Sequence, residues 1–354
     1  MLHGNMAIIN STEISAYDAI PSNAKITDNE TITVKNLYSI MHQTTRSFYI
    51  FINTSLLSLI LSTFSFSTSA ADNIGPILVT IKPLYSLVAH LTEGIETPVL
   101  LMKQTQSPHH YNMRPSERHL LAKARIIIWF GPQMESFLSK IIQQQNSSTI
   151  SVSVIQAKNL KLLGKRKKHS HEHNHSSSTY KPEAHTIDPH IWLSAHNAIA
   201  ISHHITESLI SNEPKNSELY KKNLQRLVSK INQTKDFIKS TLKNRSQPYI
   251  AFHDAFQYFE NEYDLNYIDS ISYDEETGTS LKHIRQIKAD IDKNNIQCLV
   301  YQAPKPAIIN SLTKQTSIKA TALDPLGLNI DNDKNAWFEL MQQLAVDFNY
   351  CLNP

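Results

Sequence analysis

Short apolar runs alternate with amphipathic segments along most of the chain. The first pair is an Ile-Leu-Val-Thr-Ile run at 77–81 and a segment that begins after Lys-Pro and ends at Glu-Gly, 84–94. Pro at the start and Gly at the end are typical boundaries of a helix that follows a strand. The same succession predicts strands at 77–81, 98–102, 126–130, 150–155, 249–252, 265–271, 297–301 and 320–323. Apolar strands separated by helices indicate parallel sheets covered on both faces.

Residues 214–246 depart from this alternation. Apolar residues recur there at spacings of three, four and seven among Lys, Asn and Gln, with Pro214 at the start and no Gly or Pro within. This spacing predicts one helix of roughly thirty residues, about 45 Å long at 1.5 Å per residue. We therefore predict an α/β protein in which two Rossmann-like parallel-sheet lobes, 72–213 and 247–354, are joined by one long rigid helix. Ligands of such sheets bind beyond the carboxyl ends of the strands, which places a site in the cleft between the lobes.

The N-terminal region predicts export. Residues 48–66 are apolar and uncharged, follow Arg46, and lead into small residues that end at Ala70-Ala71. A basic start, an apolar stretch and small residues before a polar one are typical of a cleaved secretory signal, which we place at 41–71. A membrane anchor is the alternative, because the apolar run is about long enough to span a bilayer. Residues 1–40 are expected to be a non-native or disordered extension, and the mature chain is expected to be soluble and periplasmic.

Composition narrows the classes of function. A chain of 354 residues with 41% hydrophobic and 18% charged residues suits two globular domains. The net charge is +3, and basic residues cluster at 165–168 without interleaved aromatic residues, which argues against nucleic-acid binding. No Gly-rich phosphate-binding pattern occurs among the seven glycines. The only cysteines, Cys298 and Cys351, predict one disulfide in an oxidising compartment, with two free thiols as the alternative.

Residues 165–193, KRKKHSHEHNHSSSTYKPEAHTIDPHIWL, have a metal-binding composition. Their histidines are His169, His171, His173, His175, His185 and His190. Alternation with Ser, Glu and Asn gives no apolar stripe, so we expect 165–186 to be a solvated, mobile loop whose histidines are accessory metal ligands. A tolerated low-complexity insertion without a role in metal binding is the alternative. The loop contains a formal HExxH at 171–175, but it lacks the apolar face that would hold a protease helix. His190 differs, because an apolar Ile-Trp-Leu run follows it.

Three histidines lie where ligands of open parallel sheets bind: His109 in the loop after 98–102, His190, and His253 directly after Tyr-Ile-Ala-Phe. Three neutral imidazoles with a fourth position suit tetrahedral Zn(II), whereas Mn(II) prefers more oxygen ligands. Water, His110 and Asp324, which follows the last predicted strand, are the candidates for the fourth position. A single histidine at a strand end is more often a cap than a ligand, so the inference depends on all three together.

The segments SPHHYNMRPSERHLLAKA, DPHIWLSA, FHDAFQYF and LDPLG resemble successive motifs of the periplasmic zinc-binding proteins of ABC-type zinc uptake systems. The resemblance extends from about residue 77 to residue 351. It implies that His109, His190 and His253 bind zinc and that Cys298 and Cys351 form a disulfide. It further implies that the chain captures Zn(II) and delivers it to a membrane permease with a cytoplasmic ATPase, without catalysis. We expect the chain to be a monomer.

Two departures from that family concern the fourth ligand. Pro108 stands where some members have a glutamate, and Gln302 stands where some have another carboxylate; Asp324 matches a ligand of the manganese-type relatives. A manganese or iron receptor on the same fold therefore stays an alternative. An exported zinc-dependent hydrolase is the alternative from a different class, with Asp254 beside His253 as its candidate general base.

Overall fold

A computed structural model describes residues 75–103, 108, 111–145, 148–166, 187–273, 279–314 and 318–353. The predicted extension and signal segment at 1–71, the histidines His109 and His110, and the loop histidines from His169 to His185 lie outside these ranges. Contacts divide the chain into Met1–Asp72 and Asn73–Pro354, and every described residue belongs to the second unit. No helix within the described ranges is both long and apolar enough to cross a membrane.

The N-terminal lobe contains a parallel sheet with strand order β2-β1-β3-β4. Its strands are β1 (Ile77–Val79), β2 (Val99–Leu100), β3 (Ile126–Trp129) and β4 (Ile150–Ser153). Its helices are α1 (Lys82–Leu91), α2 (Pro115–Lys123), α3 (Ser136–Gln143) and α4 (Ala195–Asn212). All residues of β1 and β3 are buried, which explains why these strands are uninterrupted apolar runs rather than alternating ones.

The C-terminal lobe contains a second parallel sheet with strand order β6-β5-β7-β8. Its strands are β5 (Pro248–His253), β6 (Asn266–Ser272), β7 (Cys298–Tyr301) and β8 (Lys319–Ala322). Its helices are α6 (Gln257–Tyr263), α7 (Leu281–Lys293), α8 (Ala307–Thr313) and α9 (Ala336–Cys351). Two parallel-sheet lobes confirm the predicted fold class.

The long helix α5 (Ser217–Thr241) has 25 residues and packs against α1 and α4 of the first lobe and α9 of the second. At 1.5 Å per residue it is about 37 Å long, shorter than predicted. The residues Pro214–Asn216 form a 3-10 turn instead of its first turn, and Asn244 has φ 64°, the left-handed conformation that ends helices. Its buried residues recur every three or four positions: Tyr220, Asn223, Leu227, Ile231, Thr234 and Ile238.

One apolar core extends through both lobes. It includes Leu78 of β1, Leu227 of α5 and Phe348 of α9, together with Trp192 and Trp337. The two tryptophans also link the lobes through hydrogen bonds, because the Trp337 Nε1–H donates to the carbonyl of Trp192 at 2.8 Å and the Trp192 Nε1–H donates to that of Pro325 at 2.8 Å.

The disulfide between Cys298 and Cys351 is confirmed. It joins β7 to the last residue of α9, with Cα atoms 5.3 Å apart. Both cysteines are buried, and the link closes a loop with a sequence separation of 53 residues. The last helix is thus held covalently to the C-terminal sheet.

Candidate metal-binding site

His190 and His253 lie side by side. Their ring centroids are 5.4 Å apart, and the ring planes are inclined at 72°. Both residues are buried, with exposed fractions of 4% and 7%. His253 is the last residue of β5, at the carboxyl end of a parallel strand, as the sequence predicted. The fold therefore brings together two of the three predicted zinc ligands from segments that belong to different lobes.

The position of His190 is fixed by the apolar run that follows it. Ile191, Trp192 and Leu193 form a 3-10 turn, and all three are fully buried. The ring of Trp192 lies with its centroid 5.4 Å from that of His190, in an edge contact. Because burial of Ile-Trp-Leu fixes the backbone, the adjacent imidazole is presented from a rigid element.

Each imidazole has an oxygen acceptor at Nδ1. The Nδ1 of His190 is 2.8 Å from Oδ1 of Asp188, and the same oxygen accepts from the backbone N–H of His190 at 3.0 Å. The Nδ1 of His253 is 2.9 Å from Oε1 of Gln302. A carboxylate or amide oxygen accepts hydrogen bonds, so Nδ1 carries the proton and the lone pair of the neutral ring is on Nε2. Metal-binding histidines are held in this way, with the second ring nitrogen bonded to an oxygen.

Buried carboxylates surround the pair. Burial raises the pKa of Asp188 to about 7, that of Asp254 to about 6 and that of Glu260 to about 7, while the positive charge of Arg166 acts in the opposite direction on each. Desolvation disfavours the charged form of a carboxyl group, and a nearby cation relieves that effect. Each histidine thus has one of these buried carboxyl groups close by, Asp188 in contact with His190 and Asp254 next to His253 in the chain.

Asp254 is engaged in an ion pair. Its Oδ1 accepts from Nη1 of Arg166 at 2.6 Å, and its side chain is 5% exposed. A general base must reach a water or substrate proton, and this oxygen is instead paired with a guanidinium. The geometry therefore gives no support to the hydrolase alternative.

Asp324 has a local role in the structure. Its Oδ1 accepts from the backbone N–H of Leu326 at 3.0 Å, and its Oδ2 accepts from that of Asn329 at 3.2 Å. The carboxylate therefore shapes the turn after β8. In the part of the chain that the structure describes, no three His, Cys, Asp or Glu side chains are grouped as a metal site. Among the described residues, Asp324 is therefore not grouped with His190 and His253 as a metal site. His109 and His110 lie outside the described residues.

Pro108, the neighbour of His109, is buried. It lines a small recess with Lys82 at the start of α1, Met102 after β2, and Leu326. Next to the turn of Asp324, a cavity of about 470 Å³ in the C-terminal lobe is lined by Gln302, Asp324 and Asn329, among others. Gln302, whose side-chain amide oxygen bonds to Nδ1 of His253, therefore lines this cavity.

Sequence reasoning missed two residues of this site. In the sequence, Asp188 belongs to the Asp-Pro-His motif and Arg166 to a run of basic residues. A carboxylate two residues before a histidine is a recognisable pattern for an orienting hydrogen bond. The long-range pairing of Arg166 has no local signal.

A model of the family "Zinc-uptake complex component A periplasmic" matches residues 77–351. The high-affinity zinc uptake system protein ZnuA of Haemophilus ducreyi is 30% identical over 289 residues, covering 78% of this chain and 93% of that protein. The Yersinia pestis protein of the same name is 29% identical over 290 residues, covering 78% and 91%. A crystal structure of ZnuA has a TM-score of 0.63 at 19% identity, covering 78% of this chain and 99% of that chain, which supports the fold.

Proposed function

The chain belongs to the family of periplasmic zinc-uptake components, and from this membership we propose that it is the zinc receptor of an ABC-type importer. It captures Zn(II) in the periplasm and delivers the ion to a membrane permease with a cytoplasmic ATPase. The ion is cargo, and no chemical step is involved. The relatives that match over most of their length are named as zinc uptake proteins, which favours zinc over manganese or iron.

The observation that supports this proposal most is the paired placement of His190 and His253. Imidazole nitrogen is a preferred ligand of Zn(II), and both rings have an Nδ1 hydrogen bond to an oxygen, as metal-binding histidines that coordinate through Nε2 do. His109, which follows the buried Pro108, is proposed as the third ligand. Four-coordinate zinc then needs one more group.

Water or His110 fits the fourth position better than Asp324 does. Both carboxylate oxygens of Asp324 accept backbone N–H groups, so coordination would have to disturb at least one of these bonds. Loss of one such hydrogen bond costs about 0.5–1.5 kcal/mol. A water ligand has no such cost and exchanges readily when the ion must be released.

Export of the chain is part of the proposal. The segment at 41–71 is proposed as a cleaved signal, and the disulfide between Cys298 and Cys351 suits an oxidising compartment. The histidines of 165–186 are proposed to collect zinc weakly and to pass it to the buried pair.

The test is a zinc titration of the purified protein against a competing chelator. We expect one tightly bound zinc, which is lost in His190→Ala and in His253→Ala. His203→Ala is the matched control, because His203 is an exposed histidine of α4 and its removal leaves tight binding unchanged. Retention of the tight site in both buried-histidine variants would refute the assignment, and displacement of zinc by equimolar Mn(II) would refute the choice of metal.

A further inference from the structure

Arg166 connects the N-terminal lobe to the strand that carries His253. Its Nη1 donates to Oδ1 of Asp254 at 2.6 Å, and its Nη2 pairs with Glu260 of α6. Its guanidinium carbon lies 3.7 Å from the centre of the Tyr267 ring, in cation–π contact. The arginine side chain is 24% exposed, while the two carboxylates are 5% and 4% exposed. These are buried interactions, in which geometry matters more than at a surface ion pair.

Ile187, beyond the His-rich segment, lies beside the residues that precede Arg166. Ile187 forms an antiparallel bridge with Gly164, and the N–H of Asp188 donates to the carbonyl of Leu163 at 2.9 Å. The hydroxyl of Tyr258, on α6, donates to the carbonyl of Asp188 at 2.8 Å and accepts from the N–H of Leu163 at 3.1 Å. The two ends of the His-rich segment are therefore tied to each other and to the C-terminal lobe.

The contacts of Arg166 lead to His253, and those of Ile187 and Asp188 lead to His190. Asp188, in the returning end, accepts from Nδ1 of His190, and Asp254, the partner of Arg166, directly follows His253. We propose that Arg166 is a positioning residue for zinc binding: its paired contacts with Asp254 and Glu260 set how His253 is placed relative to His190. This inference rests on the proposed zinc-receptor function.

The physical reason is that the two imidazoles come from separate lobes and must meet at metal-ligand distance. A binding constellation works only if its groups are held within about 0.5 Å of the productive geometry. Removal of the guanidinium would leave Asp254 and Glu260 buried without their ion-pair partner. Each carboxyl group would then take up a proton or shift toward solvent, and in both cases the end of β5 would lose its link to the segment that precedes His190. His253 lies on that end and would move with it.

The experiment compares Arg166→Gln with Arg125→Gln. Arg125 is a matched control, because it also pairs with two carboxylates, Glu96 and Glu213, and its side chain is 17% exposed. We expect Arg166→Gln to weaken zinc binding about 10- to 100-fold, the range found when groups that orient metal ligands are changed. Arg125→Gln should leave zinc affinity within twofold of wild type. The melting temperature of each metal-free protein is measured alongside.

A second readout separates positioning from general destabilisation. Co(II) in place of zinc gives visible absorption bands that depend on ligand number and geometry. We expect these bands to change in Arg166→Gln and to stay as in wild type in Arg125→Gln. Arg166→Lys keeps the charge but cannot bond both carboxylates as a fork, so its loss of affinity should be smaller, about 3- to 10-fold. If Arg166→Gln does not fold, this variant provides the test.

Wild-type affinity and an unchanged Co(II) spectrum in the folded Arg166 variants would overturn the role of Arg166 while leaving the receptor function intact. A wild-type protein that binds no zinc through His190 and His253 would instead overturn the receptor function, and this inference with it. The two failures are distinguished by the histidine variants, which are measured in the same titration.

Discussion

The hydrogen bond between Asp188 and His190 provides a quantitative test of the site. Asp188→Asn keeps the size of the side chain and one acceptor oxygen, so the backbone N–H and the Nδ1–H of His190 can still donate to it. The substitution removes the negative charge. Asp188 is 3% exposed, and its Oδ1 accepts two hydrogen bonds from His190, at 2.8 and 3.0 Å. The substitution therefore changes mainly the charge behind the imidazole.

The expected loss follows from the strength of these bonds. Hydrogen bonds to a charged group contribute about 1.5–3 kcal/mol, against about 1 kcal/mol for neutral pairs. The difference felt by a zinc-bound imidazole at His190 is thus about 1–2 kcal/mol. At 1.4 kcal/mol per tenfold change, zinc affinity should fall about 5- to 30-fold.

The assay is chelator competition at pH 8, above the pKa of about 7 to which burial raises Asp188. Gln302→Glu provides the opposite test, because it places a carboxylate behind His253 where an amide now accepts from Nδ1. Its zinc affinity should rise by a similar factor. An affinity within twofold of wild type for Asp188→Asn, together with loss of binding in His190→Ala, would refute the reasoning about the orienting carboxylate.

Three further predictions concern stability. Replacing Cys298 and Cys351 by Ala should lower the free energy of unfolding by about 4 kcal/mol in urea, because the disulfide closes a loop of 53-residue separation; an unchanged midpoint would contradict this. Burial raises the pKa of Glu135 from 4.5 to about 7, so the folded protein retains a proton that the unfolded chain releases between these values. The contribution of Glu135 to the free energy of unfolding therefore falls by about 3 kcal/mol as the pH rises through that window. The free energy of unfolding of Glu135→Gln should not show this decrease between about pH 4.5 and 8. Phe348→Ala, at a fully buried ring, should cost about 3–5 kcal/mol, whereas Val346→Ala, 45% exposed on the same helix, should change stability by less than about 0.5 kcal/mol in the same urea titration.

The strands were predictable where burial is complete on both faces. β1 and β3 are uninterrupted apolar runs, and Pro83 marks the start of the helix after β1, so local composition is enough there. The order of the strands was not predictable, because it depends on contacts between segments distant in sequence. Helix α4 is not predicted from the sequence: its buried Ala198, Ile201, Ile205 and Leu209 have helical spacing, but Ser, Thr and His are interspersed among them.

The proximity of His190 and His253 agrees with what the strand ends and the sequence motifs predict, whereas zinc binding there stays a prediction. His253 ends an apolar strand, and ligands of parallel sheets bind at the carboxyl ends of the strands. The partners at Nδ1 could not be derived in the same way, because the direction of a ring depends on tertiary packing. Gln302 illustrates this, since the sequence marked it as a lost carboxylate and the structure shows it as the acceptor that orients His253.

The core that both lobes share has a consequence for unloading of the ion. Trp192 and Trp337 are fully buried, and each buries about 150–250 Å². Exposing half of that surface in both rings would cost on the order of 5 kcal/mol at about 25 cal/mol per Å². An open form at that energy is populated at roughly one part in several thousand, since each 1.4 kcal/mol is tenfold. Spontaneous wide separation of the lobes is therefore rare, so release of zinc by the proposed receptor would need a partner that binds the separated form, or displacement of short segments beside the histidines.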